Sequence, residues 1–256
     1  MIFRIRLSWM LFALLAALGG PVHAAEESPV ARGEKFLAGM FAADLGLLPE
    51  YRGSKSCWLF HDNYLAAKVL DASRPDLAAR IRATLSRHGV TNSGKIEILF
   101  HETAQPLPFR HYQLTNLLVT NGFTIRTEVV TPKVLTDWDG YADLLLLAAI
   151  AQSQDHPVEA RRNFLRADAL WDGKGLADRV VVKNKIYATY KLALYLIAAR
   201  RLQLTPPHGA EVRARLLALQ NQEGGWITDY DGALKPLGFA NVETTSLAVL
   251  ALRERK

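Results

Sequence analysis

Three carboxylates stand at related places in the chain. Asp62, Asp143 and Glu243 sit at or beside the starts of apolar stretches that align as Asp62-x-x-Leu65, Asp143-x-x-Leu146 and Thr244-x-x-Leu247. A fourth stretch, Thr189-x-x-Leu192, fits the same frame. If the three acids converge, one can keep its proton while another is ionised, which is the requirement for hydrolysing a glycosidic bond. Trp58, His61, Asn63, Tyr141, Tyr187, Tyr190 and Lys191 accompany them and are the candidate ligand-binding residues. Rings of this kind stack on sugars, and the polar groups bond hydroxyls. Elimination from a uronate would instead use Tyr141, Tyr187 or His61 as base, with Lys185 or Lys191 neutralising the substrate. Plainer roles compete. Asp137, Asp139, Asn241 and Thr244 are natural helix caps. Asp62, Asp143 and Glu243 need partners if buried, and Lys185 or Lys191 would serve as ion-pair partners. Trp58, Trp138, Trp171, Tyr187 and Tyr190 would suit a core equally well. No zinc-ligand spacing occurs, and Asp137-x-Asp139 lacks the remainder of a calcium loop, so neither a metal nor a cofactor is expected.

The elements that would hold these residues are mostly helical. Apolar residues recur at helical spacing over 29–43, 58–70, 75–88, 138–152, 157–170, 184–203, 208–220 and 240–253. Pro29, Pro75, Pro157 and Pro207 lie near the starts of the odd-numbered stretches, where a missing N–H costs little. The even-numbered stretches are apolar on more sides, which marks the buried set. Their partners carry arginine-rich faces, as in "EARRNFLRADAL". Repeated hairpins of this kind predict a mainly α protein, an α/α toroid of about four helical hairpins, complete or incomplete. Within residues 89–137, "KIEILF", "LLVT" and "FTIRTEVV" read as strands, and Asn121-Gly122 is a hairpin signal. They predict a small antiparallel insertion at about 95–131. Even-to-odd connections are short and odd-to-even ones long, so the long loops gather on one side, with the N-termini of the inner helices. That mouth is the expected site.

The first residues address the chain. Arg4 and Arg6 precede an apolar run from Leu7 to Leu18, followed by Gly19-Gly20-Pro21 and Val22-His23-Ala24. This pattern is a secretory signal peptide over 1–24, leaving a domain over 25–256 that is exported to the periplasm or beyond. The apolar run is too short to span a bilayer, and no later one is long enough. Cys57 is the only cysteine, so an internal disulfide is excluded. Loss of Arg4 and Arg6 with the leader lowers the formal charge from +6 to +4. The mixed charge gives no footprint for nucleic acid, and Arg161-Arg162 and Arg200-Arg201 read as solvated helix faces.

The segment "LLALQNQEGGW" resembles the Q-x-x-x-x-G-W element of squalene cyclases and related terpenoid cyclases and prenyltransferases. "LWDGKG" at 170–175 is a weaker echo. The resemblance implies an α/α toroid in which Gln220 and Trp226 tie neighbouring hairpins together. It does not extend to the chemistry. "DWDG" at 137–140 has Gly140 where the cyclases' D-x-D-D motif ends in aspartate, and Cys57 does not recreate the prenyltransferase zinc site. "DNYLAAKVL", "YADLLLLAAIA", "YATYKLALYL" and "ANVETTSLAVLAL" resemble a group of microbial toroid proteins to which no activity is assigned. Three functions are therefore expected as alternatives: binding of a glycan or other small ligand at the mouth, a glycoside hydrolase or polysaccharide lyase, or an isoprenoid-handling protein.

Overall fold

The computed structural model describes residues 27–91, 95–102, 107–120 and 122–253. The leader expected over 1–24 lies outside them.

The helices start where local chemistry favours a start. Helix α1 (Pro29–Gly39) has Ser28 as N-cap, whose hydroxyl accepts from Ala31 N–H at 3.2 Å. Helices α3 (Pro75–Arg87) and α5 (Pro157–Asp168) also begin on proline. With α8 (Gly209–Ala218) they form the less buried set. Helices α2 (His61–Leu70), α4 (Ala142–Gln152), α7 (Thr189–Arg201) and α9 (Val242–Leu252) form the core set. Nine of eleven residues are buried in α9 against two of ten in α8, so the all-round apolar helices do pack inside. A short helix, α6 (Arg179–Asn184), lies in what the sequence presents as a loop.

Packing runs α2 to α9, α9 to α7 and α7 to α4. The row does not return from α4 to α2 by equivalent helix packing. Instead a 3-10 helix, Ile96–Phe100, lies against α4. The mainly α toroid is therefore incorrect, and the architecture is a mixture of helices and two three-stranded sheets. The first sheet orders β1 (Ser56–Trp58), β3 (Phe123–Val134) and β2 (Arg110–Thr120), with β1 parallel to β3 and β2 antiparallel to it. The second orders β4 (Ile186–Ala188), β5 (Ile227–Asp231) and β6 (Pro236–Ala240), all antiparallel.

The insertion also differs from an antiparallel sheet over 95–131. "KIEILF" is not a strand: Ile96, Glu97, Ile98 and Leu99 are all buried in succession, which an alternating strand on a half-exposed sheet does not do. The hairpin is real and longer than expected, with Thr120 opposite Phe123 and Gly122 at φ +77. Its third strand, β1, comes from outside the insertion and runs parallel. Three-residue strands such as β1 and β4 carry too little alternation to be read, and Pro236 and Gly238 disguise β6.

Gln220 and Trp226 join the end of α8 to α1. The Gln220 amide donates to the Pro29 and Gly224 carbonyls, each at 2.8 Å, and its oxygen accepts from Arg32. Trp226 is 0% exposed and its indole N–H reaches the Leu216 carbonyl at 2.8 Å. A Cβ at Gly33 would come within 2.7 Å of that ring, so glycine is what lets α1 lie this close. Arg200 is not part of a solvated face: its guanidinium holds the Leu250, Ala251 and Arg253 carbonyls at the end of α9. Arg201 likewise donates to the Leu99 carbonyl at 2.7 Å.

Candidate functional site

A cavity of about 240 Å³ opens where α2, α4, α7 and α9 begin and β3 passes beside them. Its walls include Trp58, His61, Glu128, Asp143, Tyr190 and Glu243, with Lys95 and Ile96 at one side. Leu147, Leu194 and Leu247 complete it. Each leucine follows Asp143, Tyr190 or Glu243 by four residues, so it lies one turn further along the same helix face. The repeated Asp/Tyr/Glu-x-x-x-Leu step thus gives the cavity its polar groups from first turns and its apolar wall from second turns. Helix N-termini direct partial positive charge at that level, which favours ionised carboxylates in first turns.

His61 is the centre of the polar wall. It is 4% exposed, and its Nδ1 lies 2.7 Å from Oε2 of Glu128. The two atoms are close but not aligned as a directional hydrogen bond. On the other side Nε2 lies 3.8 Å from Oε1 of Glu243, beyond hydrogen-bond length. Burial would raise the Glu128 carboxyl, but the His61 contact and the Lys95 charge outweigh it and hold the group below its usual value. The backbone explains the meeting of His61 and Glu128. Trp58 pairs with Arg126 across the parallel ladder, and Leu59 N–H donates to the Arg126 carbonyl at 2.8 Å. The first residue of α2 and the strand position two beyond Arg126 are thereby brought together.

Asp143 is held by Tyr190, whose phenol donates to Oδ2 at 3.0 Å. Burial, followed by the charges of Asp143 and Glu243, raises the Tyr190 phenol well above its ordinary value. It is a hydrogen-bond donor here and not a base. Trp58 meets His61 edge-on at 6.1 Å, and its indole N–H donates to Glu50 at 3.2 Å.

Five of the sequence-selected residues therefore share the cavity: Trp58, His61, Asp143, Tyr190 and Glu243. The others are placed elsewhere. Asp62 is 2% exposed and does not line the cavity. Burial, then the Glu243, Glu50 and Glu128 charges, raise its carboxyl well above the usual range. Asn63 fixes the preceding loop, accepting from Leu48 N–H at 2.7 Å and donating to the Leu48 carbonyl at 3.2 Å. Tyr141 stacks beneath the Arg179 guanidinium at 5.6 Å. Tyr187 donates to Asp172 at 2.5 Å and stacks on Tyr230 with ring centroids 5.3 Å apart.

Lys191 is 4% exposed and its Nζ lies 2.5 Å from Asp178 but 4.0 Å from Asp143. Lys185 is exposed at a left-handed position after α6 and pairs with none of the three acids. Of the expected caps, Asn241 accepts from Thr244 N–H at 2.8 Å, whereas Asp137 and Asp139 bind Arg179 and Arg166 at 2.5 and 2.8 Å.

Glu128, Lys95 and Asp178 are the residues that sequence patterns do not reveal. Glu128 is one acid in a strand-like run, and its role depends on a parallel pairing with no local signature. Asp178 lies in a loop, yet it is the N-cap of α6 and also accepts from Ala142 N–H at the start of α4, at 3.0 Å. Aspartate is a favoured N-cap residue, but nothing local ties Asp178 to Lys191.

Among the described residues, no group of three or more His, Cys, Asp or Glu is placed to hold a metal ion, and no helix is long and apolar enough to cross a membrane. No protein-family model matches the chain, and neither a curated protein nor a solved structure does.

Proposed function

We propose that this chain binds a small hydroxyl-rich ligand, such as the end of a glycan, in the cavity around His61. The observation that carries the reading is the meeting of Glu128, Asp143 and Glu243, from three separate elements, around one buried imidazole. Carboxylates and imidazole accept and donate to hydroxyls, Trp58 offers a ring edge, and three leucines match the apolar face of a sugar. The cavity is below the roughly 300–1,000 Å³ common for small-molecule sites, which fits one ring more closely than a chain of them. Three acids in the walls weigh against an isoprenoid. Lys191 is committed to Asp178, which weighs against neutralising a uronate for elimination.

The test is a titration of monosaccharides followed by amide chemical shifts, with Asp143→Asn as the control. Shifts confined to α2, β3, α4, α7 and α9, weakened in the variant, would support the reading. Shifts elsewhere, or none at millimolar sugar, would end it.

Acid–base hydrolysis of a bound glycoside is a second reading, favoured by Asp143 and Glu243 both acting on Tyr190. It requires one of the two to enter as acid and the other as base. Release of reducing ends that is abolished by Asp143→Asn and by Glu243→Gln would distinguish it from binding alone.

A further inference from the structure

We propose that the ligand presents a protonated amine to Asp143 and Glu243, so that the preferred class is an amino sugar or similarly hydroxylated amine. The inference rests on the cavity being the ligand site proposed above, and it follows from counting which charges are already matched. Glu128 has the His61 imidazole at 2.7 Å and the charge of Lys95 acting on it. Asp143 receives the Tyr190 proton, which satisfies an oxygen without supplying charge. Among the described residues the ammonium within 4.0 Å of Asp143 is that of Lys191, which lies 2.5 Å from the fully buried Asp178 carboxylate.

Glu243 accepts no hydrogen bond among the described residues, and its single ionic neighbour is His61 at 3.8 Å. Among the described residues, two carboxylates thus face one cavity with no basic group nearer than 3.8 Å to either. The site is more than an acidic cluster, because a 4%-exposed imidazole also faces it with Nε2 lacking any hydrogen-bond partner. Nε2 is thus the ring nitrogen left to bond a ligand, while Nδ1 is taken up against Glu128. Asp62 reports the same field from behind. Its carboxyl is raised well above the usual range by burial and by the charges of Glu243, Glu50 and Glu128. A bound ammonium would fill the gap between the two free acids, while hydroxyls of the same molecule would reach His61.

The experiment compares glucosamine, N-acetylglucosamine, glucose and ethanolamine as probes of the full chain, followed by amide shifts at low and moderate salt. Glucosamine is expected to bind about tenfold more tightly than glucose or the N-acetyl form, with the advantage shrinking as salt rises. Glu243→Gln, which changes a partly exposed side chain and keeps its shape, should erase that advantage. Equal binding of the three sugars at the cavity overturns the amine and leaves the glycan reading standing. Binding of ethanolamine and none of the sugars keeps the amine and removes the glycan. No binding by any probe overturns both.

Discussion

His61 opens helix α2 and Glu128 lies on the inserted strand β3, yet Nδ1 and Oε2 are 2.7 Å apart. The pair joins the insertion to the helical core at the cavity wall. Removing one partner leaves the other nearly buried and unmatched, which costs about 1–3 kcal/mol for a polar group of this kind. Glu128→Gln and His61→Gln should each lower the melting midpoint. In the double variant the losses should fall short of additive, with a coupling of about 0.5–3 kcal/mol. Strict additivity in a denaturant-based cycle would show that the contact carries no energy.

Asp62 gives a pH dependence of defined sign. Burial and three neighbouring carboxylates raise its folded value above the ordinary 3.8. Its contribution to stability is therefore complete below that unfolded value and is lost as pH rises toward the folded one. Wild-type protein should lose stability from this group on going from mildly acidic to neutral pH. Asn at position 62 is uncharged throughout, so Asp62→Asn should flatten that decline and gain on wild type as pH increases. Glu128 has the opposite sign, which the comparison removes because it is present in both proteins. Parallel stability–pH curves for the two proteins would refute the assignment.

The buried helices were legible because α4 and α9 are apolar on nearly every side, a pattern that only burial satisfies. The cavity was half legible, since Asp143, Tyr190 and Glu243 lie at or within one residue of the repeat-equivalent positions Asp143, Thr189 and Thr244. What sequence could not supply was closure. An α/α toroid and an open row of the same four helices have the same periodicity, and they differ only in what fills the gap between α4 and α2. That filler includes a 3-10 helix whose five residues look like a strand. Asp62 shows a second limit. It shares the repeat frame with Asp143 but lies on a helix covered by α9 and the sheet, and is buried instead of lining the cavity.

Trp226 should be among the costliest single truncations in the chain. Its ring is wholly buried beside Gly33, and its N–H holds the Leu216 carbonyl. Trp226→Ala is expected to lose about 3–5 kcal/mol. Gln220→Ala should lose less, because Arg32 and the Pro29 carbonyl lie nearer water and can be rehydrated. Chemical denaturation of both variants orders them, and a Gln220 loss equal to that of Trp226 would contradict the packing described.

Lys191 and Asp178 form the most buried ion pair in the described chain, and the two halves should not be equivalent. Asp178 accepts from Lys191 and from the backbone N–H groups of Ala142, Val180 and Val181. It therefore caps α6, secures the start of α4 and matches a buried ammonium at once. Asp178→Asn keeps the shape but removes the negative charge beside Lys191, and Asp143 at 4.0 Å is too far to replace it. Breaking a buried pair this way costs about 3–5 kcal/mol. In Lys191→Met the remaining carboxylate still has three N–H donors, and a buried carboxylate with several such donors stays tolerable. Its loss should be the smaller of the two by urea denaturation. Because Lys191 does not line the cavity, the folded Lys191→Met protein should also keep ligand affinity within about twofold, on the order of 0.4 kcal/mol. A large affinity loss with stability retained would return Lys191 to the binding site and undo the charge count on which the amine preference depends.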